Sequence, residues 1–359
     1  MKRAVVIFIL ILIIGPFAWA QNFADMEAAF GDFAQGLANA LPFASTIGLN
    51  WSDAYIGQLF HLGVGATVGF VNLPLSGFAG VAGAMGDSVD TSWLKDLQGI
   101  GTELGLPFPV GLPFPVVSAE ARIGGILLPF DVGLKYGYIP EQVDLSTYLP
   151  SGMEIDYELI GFDFRIALIE DEGLIPDLSI GGGFNYLRGG LRLATTDSFQ
   201  VSDLQVPNPD DPLGDPYVFN LNMTPPTIGF EWETTVFDAK AQLSKQILFF
   251  TPYIGVGVTF GDSKAGGYID SELTIDPPLE TYDLTIEEVN ELLATLGGET
   301  LPSLSDKGFG VERSVEGSYA ARAFAGLSLD LFFLRADVAV LYEIASQTVG
   351  ASVSARLQF

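Results

Sequence analysis

Apolar and polar residues alternate with a period of two along ten segments of this chain, the pattern of a β-strand with one apolar face. The last segment is the clearest. Val349, Ala351, Val353, Ala355, Leu357 and Phe359 fall on one face, and Ser352, Ser354, Arg356 and Gln358 on the other. Residues 333–344 repeat the pattern, with Leu334, Ala336, Val338, Val340, Tyr342 and Ile344 against Arg335, Asp337 and Glu343. Residues 250–261 set Ile254, Val256, Val258 and Phe260 against Tyr253, Gly255, Gly257 and Thr259. The other segments are 56–70, 115–125, 130–139, 159–169, 177–193, 228–245 and 314–330. Within 228–245, Phe237, Ala239, Ala241 and Leu243 oppose Asp238, Lys240, Gln242 and Ser244, whereas Phe230, Trp232, Thr234 and Val236 change parity. That change predicts a β-bulge near Val236.

The connections alternate in length. Short ones fall at 126–129, 170–176, 246–249 and 331–332, and long ones at 71–114, 140–158, 194–227 and 262–313, with one short exception at 345–348. Short periplasmic turns alternating with longer extracellular loops are what a membrane-spanning barrel requires. The expected fold is all-β: a transmembrane antiparallel up-and-down β-barrel over 43–359, with about ten strands and both ends in the periplasm. Another hairpin within 43–51 and 75–90 would raise the count to twelve, and very short segments to fourteen.

The period changes before the barrel. Phe23, Met26, Phe30, Phe33, Leu37 and Leu41 recur at helical spacing, so 21–42 reads as an amphipathic helix that Pro42 ends. Three places are open to it: plugging the lumen, lying on the periplasmic rim, or touching a partner. Ahead of it, Lys2 and Arg3, the apolar run Ala4–Ile14 and the small-x-small site Ala18-Trp19-Ala20 form a secretory signal peptide over 1–20. That run of 11 residues is shorter than the roughly 20 a helix needs to span a bilayer.

Composition sharpens the picture. The chain is 48% hydrophobic with 42 glycines, 27 phenylalanines and no cysteine, which excludes a disulfide scaffold and thiolate metal sites. Without Lys2 and Arg3, 14 basic side chains stand against 44 acidic ones, a balance that repels nucleic acid.

Candidate chemistry lies on the inward faces. Arg122, Lys135, Arg165, Lys240, Arg322, Arg335 and Arg356 share them with Glu120, Asp131, Asp163, Asp238, Asp337 and Glu343. Seven cations and six anions in one lumen form either a structural ion network or a solute-selective constriction. The loops are acidic: 262–312 holds 12 carboxylates against Lys264 and Lys307, with a capping box at Thr285-Ile286-Glu287-Glu288 that opens a short helix to about Leu296. Asp210, Asp211 and Asp215 offer the oxygen ligands calcium takes, without the spacing of a helix–loop–helix calcium site; a solvated loop is the alternative. The single histidine, His61, is expected inside the lumen in the periplasmic half of the first strand, as a buried structural group. No nucleophile elbow, phosphate loop or zinc pair is present, so neither an enzyme nor a cofactor is expected.

The terminal aromatic with apolar residues at every second position before it resembles the C-terminal signal of bacterial outer-membrane proteins. The resemblance implies that Val353, Ala355, Leu357 and Phe359 are recognised by the barrel-assembly machinery, and that the chain resides among the lipids of the cell outer membrane. Size, N-terminal helix and phenylalanine content loosely resemble FadL-type hydrophobic-compound transporters. That family's N-terminal Asn-Pro-Ala motif is absent, and ten strands fall short of its fourteen. Omptin-type proteases are similar in size but need a His–Asp pair among the outward loops, and outer-membrane phospholipases and acyltransferases need a positioned histidine. The implied function is a porin-like channel or transporter for small solutes, hydrophobic ones among them. The alternative is a non-transporting surface barrel, an adhesin or structural anchor that displays its acidic loops.

Overall fold

A strand whose apolar face looks outward is at home only against hydrocarbon, and there every backbone N–H and C=O must find its partner within the protein. This chain meets the requirement by closing on itself. A computed structural model describes residues 28–53, 61–73, 111–124, 129–139, 153–170, 175–194, 199–206, 215–225, 227–270, 273–276, 278, 281 and 308–359. Its strands are β1 (Leu62–Leu73), β2 (Leu112–Gly124), β3 (Phe130–Ile139), β4 (Met153–Ile169), β5 (Asp177–Ala194), β6 (Phe199–Val206), β7 (Tyr217–Met223), β8 (Thr227–Ser244), β9 (Phe250–Asp270), β10 (Leu273–Asp276), β11 (Gly308–Leu331), β12 (Leu334–Glu343) and β13 (Val349–Gln358). All except β6, β7 and β10 form one closed barrel of ten antiparallel strands, each paired with its neighbours around the ring. β13 meets β1 from Gln358↔Gly63 to Gly350↔Val71. Reciprocal bonds between Leu62 and Phe359 (3.1 and 2.9 Å) finish the seam.

The outward faces are apolar. Phe237, Ile254, Val256, Val258, Val338 and Val353 each keep more than half of their surface exposed. On β9 the outward apolar residues run from Phe250 to Phe260, and Asp262 and Lys264 follow on the same face. At about 3.3 Å per residue and a tilt of about 40°, that run spans about 25 Å, the height of the apolar band on such barrels.

Several strands run further than their alternation predicted. β4 begins at Met153, β9 continues to Asp270 and β11 starts at Gly308, so the wall rises beyond the apolar band on this side. Parts of the expected loops 194–227 and 262–313 are likewise strand: β6, β7 and β10 form a separate sheet in the order β10-β7-β6. Residues 43–51 hold no hairpin, because they end a helix and then run through the lumen; residues 75–90 lie outside the described residues.

The bulge expected near Val236 is absent. β8 pairs in unbroken register with β5 and with β9. Phe230, Trp232 and Val236 are buried with the inward set, so the apolar face does not change sides; the lumen itself becomes apolar. Register shifts occur instead at Ala167/Ile169 in β4 and at Val315/Ser318 in β11. In β11 the shift carries Gly317 at φ +58°, a conformation that L side chains rarely adopt, and its N–H donates to Asp262 Oδ1 (2.7 Å).

A closed sheet resists denaturing detergent until it is heated. Unboiled protein is therefore expected to migrate differently from boiled protein on a denaturing gel, and identical mobility would contradict the closure of β1 on β13.

Candidate functional site

The barrel's interior is occupied by the segment of chain that precedes it. A helix, α1, covers 28–44. Its stripe of Phe30, Phe33, Leu37 and Leu41 is almost fully buried, in one cluster with the inward-facing Val71, Phe114, Val116, Leu159, Leu187, Phe230, Phe324 and Leu341. Phe230 stacks on Phe30 (5.3 Å between centroids) and meets Phe33 edge-on (4.5 Å). Burying each such side chain stabilises by about 1.5–3 kcal/mol. Glycines on the inner wall make the room. A Cβ at Gly267 would overlap Phe30, and one at Gly63 would overlap the Trp51 ring. Phe23 and Met26, the first two positions of the helical stripe, lie outside the described residues.

Pro42 does not end the helix, which continues to residue 44. Proline removes the N–H that would have bonded the carbonyl four residues earlier, that of Ala38. The barrel wall supplies the replacement: Ser263 Oγ, on β9, donates to Ala38 O at 2.5 Å. After the helix, Thr46 N bonds Phe43 O and Ile47 N bonds Ala44 O, and the chain turns through Gly48 and Leu49, both at positive φ.

From 45 to 53 the chain is an irregular strap through the half of the lumen nearest the short turns that follow β2, β8 and β11. Its carbonyls have no ladder to join, so wall side chains satisfy them. Lys135 Nζ donates to Ser45 O (2.6 Å) and Ile47 O (2.8 Å). Arg122 and Lys240 both reach Leu49 O, at 3.2 and 3.1 Å. Gln242 Nε2 donates to Trp51 O and Ser52 O, and Arg165 Nη1 to Asp53 O at 2.6 Å. Trp51 adds side-chain anchors: its indole N–H donates to Glu120 (2.6 Å), while Arg122 and Arg356 lie over its ring at 5.4 and 4.8 Å.

All thirteen lumen candidates face inward, ten of them in three ion-paired groups. Around the strap, Asp131 bridges Arg122 and Arg165, and Asp163 bridges Arg122 (2.7 Å) and Lys240 (2.7 Å). Arg322 pairs with Asp238 at 3.1 Å, and Asp238 also accepts from Asn185. Nearer the seam, Arg356 pairs with Asp337, and Arg335 and Arg356 both hold Asp53. Lys135 and Glu120 bind the strap directly. Glu343 stands apart from the strap: its carboxylate accepts from Ala345 N (3.0 Å) and Ser346 N (2.6 Å) and caps the short turn after β12. Asp53 was not singled out from the sequence, because it follows no strand period. Asp330, on the inward face of β11, is a second carboxylate outside the six and lies 3.6 Å from Arg335.

His61 differs from expectation. It is exposed just before β1, where its carbonyl accepts from Gly124 N. Asp215 is exposed, and Asp210, Asp211 and the capping box at 285–288 lie outside the described residues. Among the described residues no cluster of three acidic or histidine side chains could hold a metal ion. On β13, Val353 and Leu357 face outward, and Phe359 is exposed and stacked on Phe333 at 6.4 Å. Above the apolar band, the raised wall carries a cavity of about 850 Å³. Asp156, Glu158, Glu231, Glu233 and Glu312 line it with Arg188, Arg192 and Lys264. There the hydrogen bond to Glu158 raises the Arg188 guanidinium above its ordinary pKa.

No protein-family model matches the chain, and no curated protein matches it. Among solved structures it is similar to the translocator domain of the autotransporter NalP from Neisseria meningitidis, at 9% identity and TM-score 0.34, over 92% of this chain and 99% of that one. It is also similar to the Ralstonia pickettii toluene transporter TbuX, at 10% identity and TM-score 0.24 over 85% and 90% of the two chains. A Pseudomonas aeruginosa FadL homologue matches at 9% identity and TM-score 0.25 over 92% and 97%.

Replacing Ser263 by Ala leaves the Ala38 carbonyl buried without its donor, and is expected to cost about 1–3 kcal/mol in denaturant unfolding. Adding Pro42→Ala returns a backbone N–H to that carbonyl, so the double variant should recover part of the loss. Simple additivity of the two changes would refute the assignment.

Proposed function

We propose that this chain is an exported outer-membrane barrel that passes small apolar solutes and is closed at rest by its own residues 28–53. The observation that carries the reading is what fills the lumen. A ten-stranded barrel is only a little wider than one whose wall side chains fill it. Here the wall is pared back with glycine, and the space goes to a helix and strap that precede β1 in the chain and are not part of the wall. An occupant of that kind can leave while the wall stays closed.

The two halves of the lumen suit different roles in this reading. The ion network fixes the strap and gates the passage from the periplasmic side. The extracellular half, lined by residues such as Phe114, Leu187 and Phe230, takes an apolar solute once α1 has shifted. The signal at 1–20 exports the chain, and the C-terminal aromatic strand engages the barrel-assembly machinery. Catalysis is not part of the reading, since His61 sits at the periplasmic rim, away from the lumen groups.

Planar-bilayer conductance tests it. Full-length protein is expected to be nearly silent, and deletion of 28–53 to give stable open channels. Asp53→Ala, which removes the strap carboxylate that Arg335 and Arg356 hold and leaves Arg356 only Ser52 and Trp51 there, is expected to raise the open fraction while leaving the barrel folded. Silence from the deletion variant, with its heat-dependent gel mobility intact, would refute transport and favour a surface barrel that displays its acidic wall.

A further inference from the structure

Two periplasmic turns are made of residues that tight turns ordinarily avoid. Ile247-Leu248-Phe249-Phe250 leads from β8 into β9, and Leu331-Phe332-Phe333-Leu334 leads from β11 into β12. Leu248 and Phe332 have positive φ, 58° and 55°. Two-residue hairpins give such positions to Gly, Asn or Asp, because a Cβ there is crowded by the neighbouring carbonyl. Both side chains also stand free of the protein: Leu248 is 84% exposed and Phe332 101%. A turn in water gains nothing from a strained backbone and a bare apolar side chain.

The two turns form one surface. Asp330 N donates to Phe249 O and Gln358 N to Phe333 O, both at 2.8 Å, and Phe333 stacks on Phe359. The neighbouring Asp330 carboxylate turns away from it and accepts from Thr251 (2.6 Å) and Ser328 (2.9 Å). The surface continues into the outward-facing Ile254, Leu327 and Leu357, all exposed; just past β8, Lys245 stands between Leu243 and the turn, with its ammonium on Ile175 O (3.3 Å). The connection between β4 and β5 is of another kind, since Glu170 is exposed there and Asp171 and Glu172 follow in sequence.

We infer that the turns 247–250 and 331–334, with Phe359, are sunk into the inner leaflet of the membrane and covered by lipid acyl chains rather than by periplasmic water. Continuity with the apolar band selects lipid over a soluble partner, because the hydrocarbon that covers Ile254, Leu327 and Leu357 reaches the turns along β9, β11 and β13. The inference rests on the membrane reading of the barrel.

The chain has no cysteine, so single nitroxide labels can be attached at Leu248→Cys, Phe332→Cys, Val256→Cys and Glu170→Cys in the full-length protein. Each variant is checked for heat-dependent gel mobility and reconstituted in phosphatidylcholine vesicles. Collisions of the label with oxygen, which concentrates in hydrocarbon, are compared with collisions with a water-soluble nickel chelate. The ratio at 248 and 332 is expected to shift toward oxygen, as at 256, with Glu170→Cys on the nickel side. Labels at 248 and 332 that match Glu170→Cys would overturn the inference, leave the barrel reading intact and mark the turns as a surface for a soluble partner. Nickel-dominated collisions at Val256→Cys would overturn the membrane reading itself.

Discussion

In hydrocarbon a backbone N–H or C=O has no solvent to turn to, and the pairing of β13 with β1 answers that constraint for the whole wall. Closure creates a second problem, because a closed ring encloses a space. Wall side chains could fill a smaller ring. This chain instead threads its own N-terminal stretch through the ring, and inner-wall glycines mark where it presses closest: Gly267 under Phe30 and Gly63 under Trp51.

The same backbone rule explains why the lumen is divided into an apolar half and an ionic half. α1 pairs its own backbone groups apart from the Ala38 carbonyl, which Ser263 satisfies, so the wall around it can be Phe114, Leu187 and Phe230. The strap at 45–53 has no regular structure and brings bare carbonyls into the interior. Lys135, Arg122, Lys240, Gln242 and Arg165 donate to them. Buried cations then need anions, and Asp131, Asp163, Asp337 and Asp53 meet that need. The charges thus follow from the irregularity of one short stretch of backbone.

The wall was legible in the sequence because its period of two is set by local geometry, and the thirteen inward charges follow from that period. What escaped depended on what lay across the lumen. Phe230, Trp232 and Val236 looked like a parity change only because an inward face was assumed to be polar; the helix opposite makes it apolar. Pro42 looked like a helix end because the rescue of Ala38 O comes from Ser263, far along the chain. Asp53 belongs to no periodic element, and Glu343 binds its own turn, which no alternation could reveal. His61 was assigned to the correct strand end, but the rim is too open there to bury it.

The two halves of the filling also differ in what it takes to remove them. Vacating the strap exposes cations and carboxylates that water can solvate well, so entering solvent repays much of what is lost. Vacating α1 uncovers the phenylalanine and leucine lining of the upper lumen, which water does not repay. Only another apolar body can take the place of Phe30, Phe33, Leu37 and Leu41 at comparable free energy. On the channel reading proposed above, the lumen discriminates by substitution: water and polar solutes solvate the lower half without replacing the helix, whereas an apolar solute replaces it. On that reading the chemistry that seals the barrel also selects what unseals it.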